Sequence, residues 1–286
     1  MRPRRAAALL GLLGALACAS PAPAAIPRAD LGAAPPATPD AATLGVADEL
    51  LEASGLSRQL ESVAARIRDD LRRRHAASPE AADAIDRSSA RAFDAERLRA
   101  AVRAALARRV EPAAAAAALA WFRSPLARRV VALELEAAEP GRATELRAFV
   151  AGLAARRPSA ARIALLARLD DAGLATETSL DVTLAVVATV ARALEASAAL
   201  EPRLLELRAR AYDRMREVTL LGMLFAYRTL ADGELARLVA FVESAGGQWF
   251  VNATSEVVVR ALGAAAEETA PEVARAVRWT GGRTRR

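Results

Sequence analysis

Along most of this chain, apolar residues recur at steps of three and four. Leu56, Leu60, Val63, Ile67 and Leu71 form one such stripe, the signature of a helix with a single buried face. Leu204, Leu207, Ala211, Met215, Val218 and Phe225 form a second. Leu180, Leu184, Val187, Val190 and Leu194 form a third, flanked by enough alanine and valine that most of that helix is expected to be covered. Prolines fall where a helix can start without losing a backbone hydrogen bond. Ser78-Pro79 and Ser124-Pro125 each place a serine cap before a first-turn proline, and Pro112, Pro202 and Pro271 are read as further helix starts. The pattern predicts an all-α protein.

The order of elements is then repeated. Leu51-Glu-Ala-Ser-Gly55-Leu56 matches Leu169-Asp-Asp-Ala-Gly173-Leu174, and Leu119 to Pro125 matches Val239 to Ala245, both about 120 residues apart. Two tandem homologous helical units are expected, over 42–157 and 158–279. Each carries the same corner, in which an aromatic-bearing helix breaks at a capping serine and a second helix follows at once. In the first unit the corner holds Trp121, Phe122, Ser124 and Pro125; in the second it holds Phe241, Ser244, Gly247 and Trp249. Aromatics make up only 4% of the chain, so their concentration here marks a packing hub.

Trp121-Phe122-Arg123-Ser124-Pro125-Leu126-Ala127-Arg128-Arg129 resembles the exported bacterial family catalogued as domain of unknown function 2059, with Ala127 where that family usually has glycine. Leu230 to Leu235 and Ser244 to Phe250 resemble the same stretch in a second copy, with alanine in place of the proline. The resemblance implies an all-helical periplasmic protein and carries over no catalytic residue.

The first residues read as an address. Arg2, Arg4 and Arg5 precede the apolar run AAALLGLLGALA, which is too short for a permanent membrane helix of about 20 residues. Ala17-Cys18-Ala19 fits a small-x-small cleavage site, giving a signal peptide over 1–19 and a mature chain beginning near Ser20. The rival reading is a lipoprotein signal with a lipid anchor at Cys18. Residues 20–41, rich in proline and alanine, are expected to be a disordered spacer, and 280–286 a basic disordered tail. Cys18 is the chain's single cysteine, so a mature domain would contain no disulfide and no thiolate nucleophile. Later apolar stretches are too short or too interrupted by charge to predict a transmembrane helix.

Charge adds less than its total suggests. The formal excess of six is accounted for by Arg2, Arg4 and Arg5 together with Arg283, Arg285 and Arg286. Elsewhere arginines and acids interleave at helical spacing, as in Asp70 with Arg74 and Glu206 with Arg210, the pattern of a solvated helix face and not of a nucleic-acid surface. Lysine is absent, which excludes Schiff-base and lysine-base chemistry.

Chemistry is sparse. His75 has no second histidine with which to bind zinc or to serve two serine sites, and Ser124 and Ser244 read as caps. Asp69-Asp70 and Asp170-Asp171 are neighbours on a helix and point about 100° apart, so neither pair makes a proton-sharing dyad. Glu134, Glu136 and Glu139 gain interest only if they converge with other acids. No catalytic, cofactor-binding or metal-ligating residue is therefore expected. The expected role is a non-catalytic envelope interaction protein that receives a partner protein or peptide. The alternatives are a periplasmic carrier of an apolar ligand and, third, an envelope-polymer hydrolase. Pro125→Ala is expected to shift the melting temperature by no more than about 2 °C, because Ser124 still caps the helix; a larger loss in a thermal melt would contradict the capping account.

Overall fold

The computed structural model describes residues 39–75, 78–194 and 200–283. The leader 1–19 and most of the spacer lie outside them. The spacer ends one residue early: α1 starts at Ala41, where the Asp40 carboxylate accepts from the Thr43 amide at 2.7 Å.

Among the described residues the fold is all-α, without a strand. The first half comprises α1 (Ala41–Ala53), α2 (Leu56–His75), α3 (Pro79–Ala92), α4 (Ala95–Ala107), α5 (Pro112–Phe122) and α6 (Pro125–Ala138). A 3-10 turn at Pro140–Arg142 then leads into α7 (Ala143–Gly152). The second half comprises α8 (Ala160–Gly173), α9 (Ala175–Leu194), α10 (Leu200–Ala226), α11 (Asp232–Val242) and α12 (Ala245–Arg283). Starts are capped by side chains: Ser78, Asp94, Ser124, Ser159 and Ser244 each accept an amide of the following turn at 2.9–3.2 Å.

The starts of α1 and α8, α2 and α9, α5 and α11, and α6 and α12 each lie about 120 residues apart. The same offset relates the two positive-φ residues among those described. Gly55, at φ 73°, joins α1 to α2, and Leu174, at φ 50°, joins α8 to α9. Both tight reversals need the left-handed conformation. Glycine is required only at the first, because a Cβ on Gly55 would stand 2.7 Å from Val131 Cγ1.

The two halves share their cores. Val257, Val258, Leu262 and Val273 of α12 are buried with Leu50, Leu60, Ile85 and Val102 of the first half. Reciprocally, Val130 of α6 is buried with Leu166, Met223, Leu235 and Val239 of the second half, and Phe149 of α7 packs edge-on to Phe225, ring centres 5.6 Å apart. Each half thus sends its last helices into the other's core.

Three expectations need correction. Pro271 does not open a helix but lies inside α12, where it removes one amide donor. The tail begins later than 280, since α12 runs through Gly281 and Gly282 to Arg283. The stripes on α9 and α10 are less covered than their periodicity suggested: Val187 and Leu207 face solvent, while Ala188 and Thr189 on the other side of α9 are buried. Among the described residues, no helix is long and apolar enough to cross a membrane.

Gly55→Ala should destabilise the protein by about 2 kcal/mol in denaturant unfolding, from backbone strain combined with the Val131 clash. A loss below about 0.5 kcal/mol would show that the α1–α2 reversal tolerates a side chain.

Candidate functional site: the junction of the two halves

The corner residues come together from both halves. Trp121, near the end of α5, stacks on Phe241 of α11, with centroids 4.6 Å apart and planes 8° from parallel. These two residues occupy corresponding positions in the halves. Phe122 meets Phe241 and Phe250 edge-on, at 5.7 and 4.8 Å. Each arrangement suits the ring quadrupoles.

Ser124 caps α6 through the Ala127 amide, with Pro125 at the first helical position. Ser244 accepts from Gly247 N–H and donates to the Phe241 carbonyl at 2.6 Å. Gly247 is dictated by contact: a Cβ there would fall 2.0 Å from the Phe241 carbonyl oxygen. Trp249 donates from Nε1 to the Arg109 carbonyl at 3.1 Å. At the corresponding place, Arg129 donates from Nη2 to the Thr229 carbonyl at 2.8 Å. Trp121 and Phe122 on one side and Phe241 on the other therefore join the two corners into one junction.

Ion pairs flank the junction. Arg123 pairs with Glu49, and Glu243 with Arg168 at 2.6 Å, so corresponding positions carry opposite charges. The Arg168 guanidinium beside Glu243 holds that carboxyl below its usual range. All four side chains reach solvent, and such exposed pairs contribute little to stability.

The acids singled out in the sequence do not gather at one site, although Glu136 and Glu139 share Arg142. Asp170 is buried, accepting from Thr176 N–H at 2.9 Å and Thr176 Oγ1 at 2.8 Å, whereas Asp171 faces outward to Arg216 at 2.6 Å. Burial pushes the Asp170 carboxyl above its usual range. Glu136 is held by Arg142 at 2.5 Å and reached by Arg228 at 3.5 Å. Asp69 and Asp70 both lie near Arg73. His75 closes α2, with its side chain outside the described part. Among the described residues, no group of three His, Cys, Asp or Glu is placed to hold a metal.

One polar contact was not foreseen. Glu134 points from α6 into the seam with α2 and the end of α10, where it accepts from Tyr227 Oη at 2.6 Å and from the Gln59 side chain. Burial of its carboxyl raises its pKa to about 7, against the opposing effect of those two donors. The signal was present in the sequence, since Ala127, Val131, Glu134 and Ala138 share one face of α6 and three of them are buried apolar residues. Arg66 was also missed. Its Nε donates to the Ser62 carbonyl, while Nη1 and Nη2 are buried without a partner, and burial lowers its pKa to about 9.

No family model, curated protein or solved structure matches the chain. The likeness to the exported family therefore rests on the quoted corner motifs alone.

Trp121 is only half-buried, so Trp121→Ala should cost about 2–3 kcal/mol, below the range for a fully buried tryptophan. Chemical denaturation tests this; a near-neutral result would remove the Phe241 stack from the stabilising contacts.

Proposed function

We propose that this chain is an exported, non-catalytic interaction protein, built from two units of common descent, that receives a partner protein or peptide in the cell envelope. The observation that carries the reading is an apolar edge at one end of the α9–α10 pair. Asp181 pairs with Arg208, and Tyr212 donates to Glu177 at 2.9 Å, so α9 and α10 run antiparallel. Val187, Leu205 and Leu207 therefore lie towards one end of the pair, with exposures of 40%, 64% and 43%, Leu205 and Leu207 on opposite flanks of α10. Large apolar side chains left exposed on one helix pair are the contacts a partner would cover. The ion pairs Arg192–Glu201 and Arg210–Glu206 lie on the same two helices.

Common descent is supported by the contacts the offset relates: Trp121 on Phe241, the two carbonyl-directed donors Arg129 and Trp249, and the pairs Arg109–Glu256 and Arg228–Glu136. Export is supported by the reading of residues 1–19 and by the family likeness of the corner. The interaction reading is preferred to the hydrolase because Asp170 is held by Thr176, Asp171 by Arg216 and Glu136 by Arg142, each at a different place.

A photo-crosslinker at position 205, used in intact cells, should capture a defined envelope protein, and Leu207→Glu in the same chain should abolish capture without lowering the melting temperature. Capture that survives Leu207→Glu would contradict the role of this edge, and co-purifying lipid without protein would favour the carrier. The intact mass of the envelope-derived chain should correspond to a start near Ser20. A retained Met1 would contradict export by a cleaved leader, and an acylated Cys18 would identify a lipoprotein.

A further inference from the structure

The Glu134 contact joins elements that lie far apart in the chain: Glu134 on α6, Gln59 on α2, and Tyr227 just beyond α10. Its counterpart in the second half is built without an acid. Thr254 occupies the place of Glu134 and turns its hydroxyl back to the Phe250 carbonyl at 2.7 Å. Thr178 occupies the place of Gln59 and meets Ser255 Oγ at 3.4 Å, while the place of Tyr227 falls to the buried Ala107. One junction therefore packs with small residues and hydroxyls, so this architecture does not require a titratable group at that position. At the other, a carboxyl has been placed in the seam.

Among the described residues no cation is paired with it; from α8, Arg162 donates to the Tyr227 carbonyl at 2.5 Å and pairs with Asp232. From the segment after α10, Arg228 lies 4.2 Å over the Phe225 ring and reaches Glu136. From the turn after α6, Arg142 is taken by Glu136 and Glu145. Arg66 lies two turns beyond Gln59 on α2, bonded to Ser62, and α5 contributes no charged side chain. Within α6, Arg129 is taken by Glu234 and the Thr229 carbonyl. Two neutral donors, Tyr227 and Gln59, are what Glu134 meets.

We propose that the Glu134–Tyr227–Gln59 contact is a proton-operated latch, which holds α6 against the end of α10 while the carboxyl is protonated and loosens that seam once it ionises. Protonated, the group satisfies its neighbours without bringing charge into the seam; ionised, it must be solvated there without a counter-ion. The direction follows from linkage. Burial raises the folded-state value to about 7 from an ordinary 4.5. The latch's contribution is thus complete below the ordinary value and is lost as pH rises through about 7. Asp170, also raised by burial, acts in the same direction, so the test must isolate Glu134.

Carbon-13 titration of the full chain should place the Glu134 carboxyl midpoint near 7, and a midpoint near 4.5 would overturn the proposal. Hydrogen exchange, corrected for intrinsic rates, should show protection of 130–138 and 223–230 falling on the order of 10- to 100-fold between about pH 5.5 and pH 8.5. Protection elsewhere should change less. Glu134→Gln should remove that difference while keeping the fold. Unchanged protection across the range in the natural chain, or an equal loss in Glu134→Gln, would overturn the proposal. Tyr227→Phe provides a second check: removing a donor to the ionised form should move the midpoint upward, and an unmoved midpoint would exclude Tyr227 from the latch. If Glu134→Gln does not fold, the titration and exchange of the natural chain still decide the matter.

Discussion

Trp121 lies flat on Phe241, and these two residues hold the same place in the two halves of the chain. The architecture is organised around that contact. A ring from each half meets at the junction, and from there the last helices of each half continue into the core of the other. The crossing explains several local choices. Gly247 must lack a side chain because α11 and α12 turn against each other within carbonyl contact, and Gly246 lies so near Ala117 that a Cβ would approach its methyl group to 2.8 Å. Aromatic residues, scarce elsewhere, are concentrated where two helix ends from each half converge. Stacking and edge-on contacts add about 0.5–1.5 kcal/mol per pair beyond buried area, while the reciprocal burial of α6 and α12 contributes the larger, non-directional part.

Positions about 120 residues apart carry related contacts with different side chains. The donors at Arg129 and Trp249 reach carbonyls at matching positions with different chemistry, and Arg123–Glu49 is answered by the reversed pair Glu243–Arg168. Small residues on α5 match large ones on α11: buried Ala115 and Ala118 stand where Leu235 and Leu238 stand in the second half. The alanines admit α12 close to α5; the leucines fill the space beside α8. The unequal last segments follow from one sequence difference. Pro140-Gly141 ends the first at a 3-10 turn, whereas α12 runs on past the matching position with Gly263 packed against Ala185.

Helix content, the serine caps and the aromatic corner were legible because each depends on short-range spacing. Ser124, falling after the Trp121-Phe122 pair and immediately before Pro125, specifies a break and a restart wherever the helices finally lie. The exchange of last helices was not legible, since a stripe such as Val257, Val258 and Leu262 records only that it is buried, not which half buries it. Val187 and Leu207 misled for the same reason: periodicity marks a face, and an uncovered face has the same period as a covered one. Glu134 was readable in part, as a polar residue in an apolar stripe, but its partners lie 75 and 93 residues away and emerge only from the packing of three helices. Pro271 fits inside α12 because a long helix already anchored on both sides tolerates one missing donor.

If the halves are interlocked through shared cores, neither can unfold alone. Equilibrium unfolding in urea, followed on one sample by far-ultraviolet ellipticity and by tryptophan emission, tests this most directly. The account predicts one transition with coincident midpoints. Two separated transitions, or tryptophan emission changing while most helix remains, would contradict it and return the halves to independent domains.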